Sequence, residues 1–151
     1  MKEEKEKEEE AQQQQPPRSV IVKTMVVDKS PDKVFNFFSN LKNWETGGAL
    51  KNIKKINGDD GGGEWWEVEN PLGKAKIRLR PNKQFGLLDH DFQQDTGEKW
   101  TVFCRITPNG SGSTTSWEFI QPTGMPPHEF ENQLKNFDHE IEGWKKAITE
   151  A

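Results

Sequence analysis

Residues 130–148 read Phe-Glu-Asn-Gln-Leu-Lys-Asn-Phe-Asp-His-Glu-Ile-Glu-Gly-Trp-Lys-Lys-Ala-Ile. Phe130, Leu134, Phe137, Ile141, Trp144 and Ile148 recur here at intervals of three and four. That spacing lays one continuous apolar stripe along a single helix face. A helix of roughly 19 residues is about 28 Å long, enough to cross a whole small sheet. Such a stripe must be buried, and the strands that precede it are the only partner available. A curved sheet wrapped round one long helix leaves a natural pocket between them.

The preceding chain supplies those strands. Residues 19–28 are β-branched and free of breakers, so they read as a strand. Both its faces are apolar: Val20, Val22, Thr24 and Val26 on one, Ile21, Lys23, Met25 and Val27 on the other. Ser30 then caps a helix with Pro31 at its first position and Asp32 in its first turn. Val34, Phe37, Phe38 and Leu41 form its stripe, and it is expected to end near Trp44, before Gly47-Gly48. Strands are expected at 49–57, 65–69, 74–80, 85–92, 99–107 and 114–121, and residues 122–127 break the pattern before the last helix. Residues 57–63 are a Gly/Asp loop, read as flexible and as a candidate lid. Short turns at Asn70-Pro71-Leu72-Gly73, Pro81-Asn82, Asp95-Thr96-Gly97 and Pro108-Asn109-Gly110 make the six later strands an antiparallel meander.

Composition narrows the function classes. The chain has 151 residues, which suits one domain. Residues 1–17 form a separate tail of charge, glutamine and proline that cannot bury apolar surface and is expected to be disordered. Residues 18–151 are the domain. The tail's six Glu and three Lys give −3 of the chain's −4, leaving about −1 for the rest, so nucleic acid is not an expected partner. The row Lys74, Lys76, Arg78 and Arg80 reads as a solvated sheet face offset by Glu64, Glu67 and Glu69. A single cysteine, Cys104, rules out an internal disulfide and points to a reducing compartment. No segment resembles a signal peptide or is long enough to span a bilayer, so a cytoplasmic protein is expected.

The order and spacing of several short motifs resemble the START-like, or SRPBCC, superfamily. Ser30-Pro31-Asp32-Lys33-Val34-Phe35 and Asn43-Trp44 resemble its first helix. Gly86-Leu87-Leu88-Asp89-His90, the run Arg105 to Ser113, Gly124-Met125 and Glu129-Phe130 resemble a polyketide cyclase-like branch. The resemblance covers residues 19–149. It implies an α+β helix-grip fold: a seven-stranded antiparallel curved sheet wrapped around the C-terminal helix, with short helices after the first strand. It also implies an internal cavity for an apolar or aromatic small molecule. Members bind lipids, hormones or polyketides, some cyclise them, and others activate chaperone ATPases.

The candidate pocket follows from the inward faces. Trp66, Val68, Ile77, Leu88, His90, Phe92, Trp100, Val102, Cys104, Thr115, Trp117 and Phe119 are expected to face the helix residues Phe130, Leu134 and Phe137. The aromatic members serve equally as flat walls for a ligand or as plain core. His90, in register with Leu88 and Phe92, reads as a pocket acid/base, as a group that hydrogen-bonds a ligand, or as a core histidine donating to a backbone carbonyl. Its neighbour Asp89 points to the opposite face and cannot assist it.

Other candidates carry less. His128 and His139 lie roughly 16 Å apart along the helix axis and cannot share a metal. No metal and no cofactor are expected. Cys104 reads as a buried thiol. Ser111, Ser113 and Ser116 are expected in turns or facing outward, and no nucleophile elbow surrounds a serine.

Three functions are compatible with this reading. The first is a binding module for a small apolar or aromatic ligand. The second is a cyclase, dehydratase or hydrolase using His90. The third is a co-chaperone-like or adaptor domain, or a homodimer, with Ile21, Met25, Trp65 and Phe103 as outward apolar residues.

Overall fold

The computed structural model describes residues 16–57 and 62–151. The tail expectation for residues 1–15 and the lid expectation for residues 58–61 lie outside the described residues. The element order is β1 (Val20–Val27), α1 (Pro31–Ser39), a 3-10 helix (Leu41–Gly47), β2 (Lys51–Ile56), β3 (Glu64–Asn70), β4 (Gly73–Asn82), a 3-10 turn (Lys83–Phe85), β5 (Leu87–Gln94), β6 (Lys99–Asn109), β7 (Gly112–Ile120) and α2 (Pro127–Glu150). All seven strands form one antiparallel sheet in the order β1-β7-β6-β5-β4-β3-β2. This is the helix-grip architecture, α+β, with α2 gripped by the sheet.

Alternation along the strands fixes which side chains reach α2. Ala75, Ile77 and Leu79 on β4, Leu88 and His90 on β5, Val102, Cys104 and Ile106 on β6, and Thr115, Trp117 and Phe119 on β7 are all buried. The stripe of α2 meets them: Phe130, Leu134, Ile141, Trp144 and Ile148 are buried, and Phe137 packs partly buried against the same core. On the opposite face four cations are paired across strands. Arg78 and Arg80 both grip Asp91, at 2.6 and 3.1 Å, while Lys54 and Lys55 pair with Glu67 and Glu64.

Several expectations are corrected. Ile21 and Met25 face inward, because β1 pairs with β7 so that Met25 sits beside Thr115 and Ile21 beside Phe119. Met25 is 2% exposed, and the outward apolar residues of this region are Val20, Val22, Val26 and Phe103. Ser113 also turns inward and is fully buried, since it shares the face of Thr115 and Trp117. The first helix is shorter than expected. It stops at Ser39, and Asn40, an extended residue, caps a 3-10 helix by accepting from the Lys42 backbone N–H. The fifth strand begins at Leu87 rather than 85, because Asn82 caps a 3-10 turn that Gly86 closes at φ +67°.

The 3-10 helix ties α1 to α2. The Asn43 amide donates to Phe37 O at 2.9 Å and Trp44 Nε1 donates to Phe38 O at 2.8 Å, satisfying carbonyls that the end of α1 leaves open. Trp144 Nε1 on α2 then donates to Trp44 O at 3.0 Å. Two glycines permit this approach. A Cβ on Gly47 would lie 2.7 Å from Trp144 Nε1, and one on Gly143 would lie 2.3 Å from Thr46 O.

Candidate functional site

Sheet and helix do not close completely on one another. Between them lies a cavity of about 640 Å³, inside the range of roughly 300–1,000 Å³ usual for small-molecule sites. Strand residues Ile77, His90, Phe92, Trp100, Val102, Trp117 and Phe119 form its floor. Leu134, Phe137 and Trp144 of α2 form its roof, and Phe38 with Trp44 close one end. The mouth is built from the 47–50 segment, from Pro71 and Leu72 of the β3–β4 turn, and from the α2 residues Gln133, Asn136, His139 and Glu140.

Aromatic rings hold one another in fixed orientation. Trp144 lies 5.6 Å from Trp117, 5.4 Å from Phe38, 5.3 Å from Phe137 and 6.2 Å from Trp44. Phe137 in turn meets Trp117 at 5.2 Å and Phe119 at 4.8 Å, both edge to face. Edge-to-face and tilted pairs at these distances are favourable, each by about 0.5–1.5 kcal/mol beyond area burial. The aromatic walls therefore brace one another. At the mouth, the Asn70 amide donates to Gln94 Oε1 at 2.9 Å and Gln94 Nε2 donates to Lys74 O at 3.1 Å, which pins the β3–β4 turn against β5.

Of the residues named from sequence, Ile77, His90, Phe92, Trp100, Val102, Trp117, Phe119, Leu134 and Phe137 line this cavity. Trp66, Val68, Leu88, Cys104, Thr115 and Phe130 are buried in the core around it without lining it. Phe130, for example, sits behind Trp100 at 5.9 Å. The lining residues outside that set are Phe38 of α1, Trp44 of the 3-10 helix, Gln94 of β5 and Trp144 of α2, together with residues of the turns and of the flank of α2. Gln133, Asn136 and Glu140 each precede a stripe residue by one position, so they form a polar row beside the apolar one. That row is the signal from which they could have been found.

His90 is 7% exposed, and its Nδ1 lies 2.9 Å from Leu88 O. Burial pushes its pKa below the usual imidazole range and outweighs the opposing influence of the Leu88 carbonyl and nearby carboxylates. Trp44 packs edge-on against the ring at 4.9 Å. Asp89 accepts from the Cys104 backbone N–H, and Asp91 is held by Arg78 and Arg80, so neither carboxylate serves His90. Burial pushes Glu140 the other way, up to about 8. Cys104 is a buried free thiol whose pKa burial raises strongly. His139 stands exposed at the mouth, and no cluster of three or more metal-ligating side chains occurs among the described residues. No helix among them is long and apolar enough to cross a membrane.

No family model and no curated protein sequence matches the chain. Solved structures do. Ara h 8.0201 superposes with a TM-score of 0.69 at 12% identity, covering 88% of this chain and 99% of that one. A START superfamily protein from Mycobacterium smegmatis gives 0.69 at 12% identity, covering 87% and 97%. The KanY protein gives 0.67 at 12% identity, covering 89% and 99%. At such identities the likeness establishes architecture: the chain has the helix-grip fold that these proteins share, over nearly the whole length of each.

Proposed function

We propose that this chain binds a small apolar or aromatic molecule in the cavity between its sheet and α2. The observation that carries the reading is the aromatic-walled space of about 640 Å³, open at one end and braced by rings that already pack on one another. Membership of the START-like superfamily, in its polyketide cyclase-like branch, belongs to this reading. It is supported by the helix-grip fold together with the Ser30 to Phe35 and Arg105 to Ser113 motifs. A lone buried thiol suits a cytoplasmic setting.

The acid/base alternative for His90 calls for a second side chain to orient the imidazole or share its proton. The hydrogen-bond partner of His90 is a backbone carbonyl, and this favours ligand holding over turnover. An adaptor would need a filled interior, and the cavity argues against one.

The test uses N-phenyl-1-naphthylamine, an uncharged probe whose fluorescence rises in apolar surroundings. Saturable 1:1 enhancement is expected, together with its loss in Ala49→Trp, which places an indole in the mouth. Enhancement that never saturates, or that survives Ala49→Trp in a folded variant, would overturn the reading.

A further inference from the structure

We propose that the cavity selects aromatic ligands that carry a hydrogen-bond donor and no negative charge, the donor being received by His90 Nε2. This inference rests on the binding reading above and sharpens it to a ligand class.

The tautomer of His90 follows from its partner. A carbonyl oxygen can only accept, so the Nδ1 that lies 2.9 Å from Leu88 O carries the proton. A ring kept neutral by burial then presents a lone pair at Nε2. No hydrogen bond to it occurs among the described residues. The indole N–H of Trp44, which packs on the ring, is spent on Phe38 O, and that of Trp144 on Trp44 O. The acidic neighbours Asp89 and Asp91 are engaged on the outer face and could not donate in any case. His90 is 7% exposed and lines the cavity, so an Nε2 lone pair left open there can be satisfied by a donor that enters with the guest.

Charge supplies the second half of the argument. The titratable side chains lining the cavity are His90 on β5, Glu98 at the β5–β6 turn, and His139 and Glu140 on α2. No lysine or arginine lines it among the described residues. Cations lie elsewhere: Arg78, Arg80, Lys54 and Lys55 are paired on the outer sheet face, and Lys23 is held by Asp138 at 2.9 Å. A carboxylate, sulfonate or phosphate in this space would lose its hydration without gaining a counterion. Glu140 itself makes no hydrogen bond or ion pair to a described residue, and at neutral pH its carboxyl stays protonated. An anionic guest would therefore be repelled more strongly as pH rises past about 8.

The experiment is a calorimetric titration of the full chain at pH 7 with three ligands that share one ring system: 2-naphthol, 2-methoxynaphthalene and 2-naphthoate. The methyl ether should bind about fivefold more weakly than the naphthol, since it keeps the ring and loses the donor. The naphthoate should bind at least about tenfold more weakly than the naphthol. His90→Phe should erase the gap between naphthol and ether. Glu140→Gln, which leaves the floor untouched, should leave naphthoate affinity unchanged at pH 7 and relieve its further weakening at pH 9, and so reports even if the His90 variant does not fold. Naphthoate binding as tightly as naphthol, or ether matching naphthol, would overturn the ligand class. If N-phenyl-1-naphthylamine binds and all three naphthalenes fail, the ligand class is overturned as well. If none of the four binds, the binding reading itself falls.

Discussion

Replacing Gly143 by alanine sets two effects of known size against each other. In an ordinary helix interior the change stabilises by roughly 0.5–1 kcal/mol, because glycine loses more backbone freedom on folding. In α2 the added Cβ would stand 2.3 Å from Thr46 O and 3.0 Å from the Gly47 Cα. Both obstacles are backbone, so no rotamer change relieves them. A comfortable carbon–oxygen contact is about 3.3–3.6 Å, which requires helix and loop to separate by about 1 Å. Overpacking of this kind costs about 1–3 kcal/mol, occasionally more. The net expectation is a loss of about 1–2 kcal/mol, or a Tm about 3–8 °C lower for a domain of this size. Trp144, the next residue, donates to Trp44 O across the same seam, so its indole N–H resonance should shift as well. Thermal melts followed by circular dichroism, with a nitrogen-correlated spectrum of both proteins, read the two effects. A Tm raised by the helix-propensity gain, with the Trp144 indole signal unmoved, would refute the close approach of α2 to the 3-10 helix.

Three further outcomes follow from the same packing. Glu140→Gln should change the pH profile of stability: the unfolded carboxyl loses its proton near 4.5 and the folded one near 8, so wild-type stability falls across that window and levels off above it. The glutamine variant should escape this decline, and parallel urea midpoints from pH 4 to 9 would contradict it. Phe130→Ala should cost about 3–5 kcal/mol in chemical denaturation, since Phe130 is 1% exposed and supports Trp100 from behind; a cost below about 1 kcal/mol would show that the site collapses freely. Cys104 should resist a disulfide reagent such as Ellman's in the native protein and react once in denaturant, because burial both shields the thiol and raises its pKa. Rapid native labelling would be inconsistent with its place in β6.

Periodicity made much of this molecule legible. The three-and-four spacing of Phe130 to Ile148 announces α2, and strict alternation in Ala75, Ile77 and Leu79 announces the inner face of β4. β1 shows where periodicity fails. Valines, isoleucine and methionine occupy both of its faces, so alternation alone cannot say which is buried. Pairing with β7 decides it, by setting Met25 beside Thr115. The helix after β1 misled for a related reason. Trp44 continues the apolar pattern of α1, yet it reaches the core from a 3-10 turn whose N-cap is Asn40. The floor of the cavity was readable because strands have a period. Its mouth was not, since residues 47–50 and the β3–β4 turn follow no repeat and are brought together by the meander. His90 could be placed inward by register, but its tautomer depends on the Leu88 carbonyl, a contact between residues two apart on the same strand. Gln133, Asn136 and Glu140 look like solvent residues beside a stripe until the gap between helix and sheet is seen.

Backbone and indole N–H shifts of the full chain, recorded while N-phenyl-1-naphthylamine is added, test most directly whether the interior admits a guest. Saturating shifts should concentrate on the indoles of Trp44, Trp100, Trp117 and Trp144 and on Leu134, the walls of the cavity. Shifts confined to Val22, Val26 and Phe103 on the outer sheet face, with those indoles unmoved, would contradict a ligand site between sheet and helix.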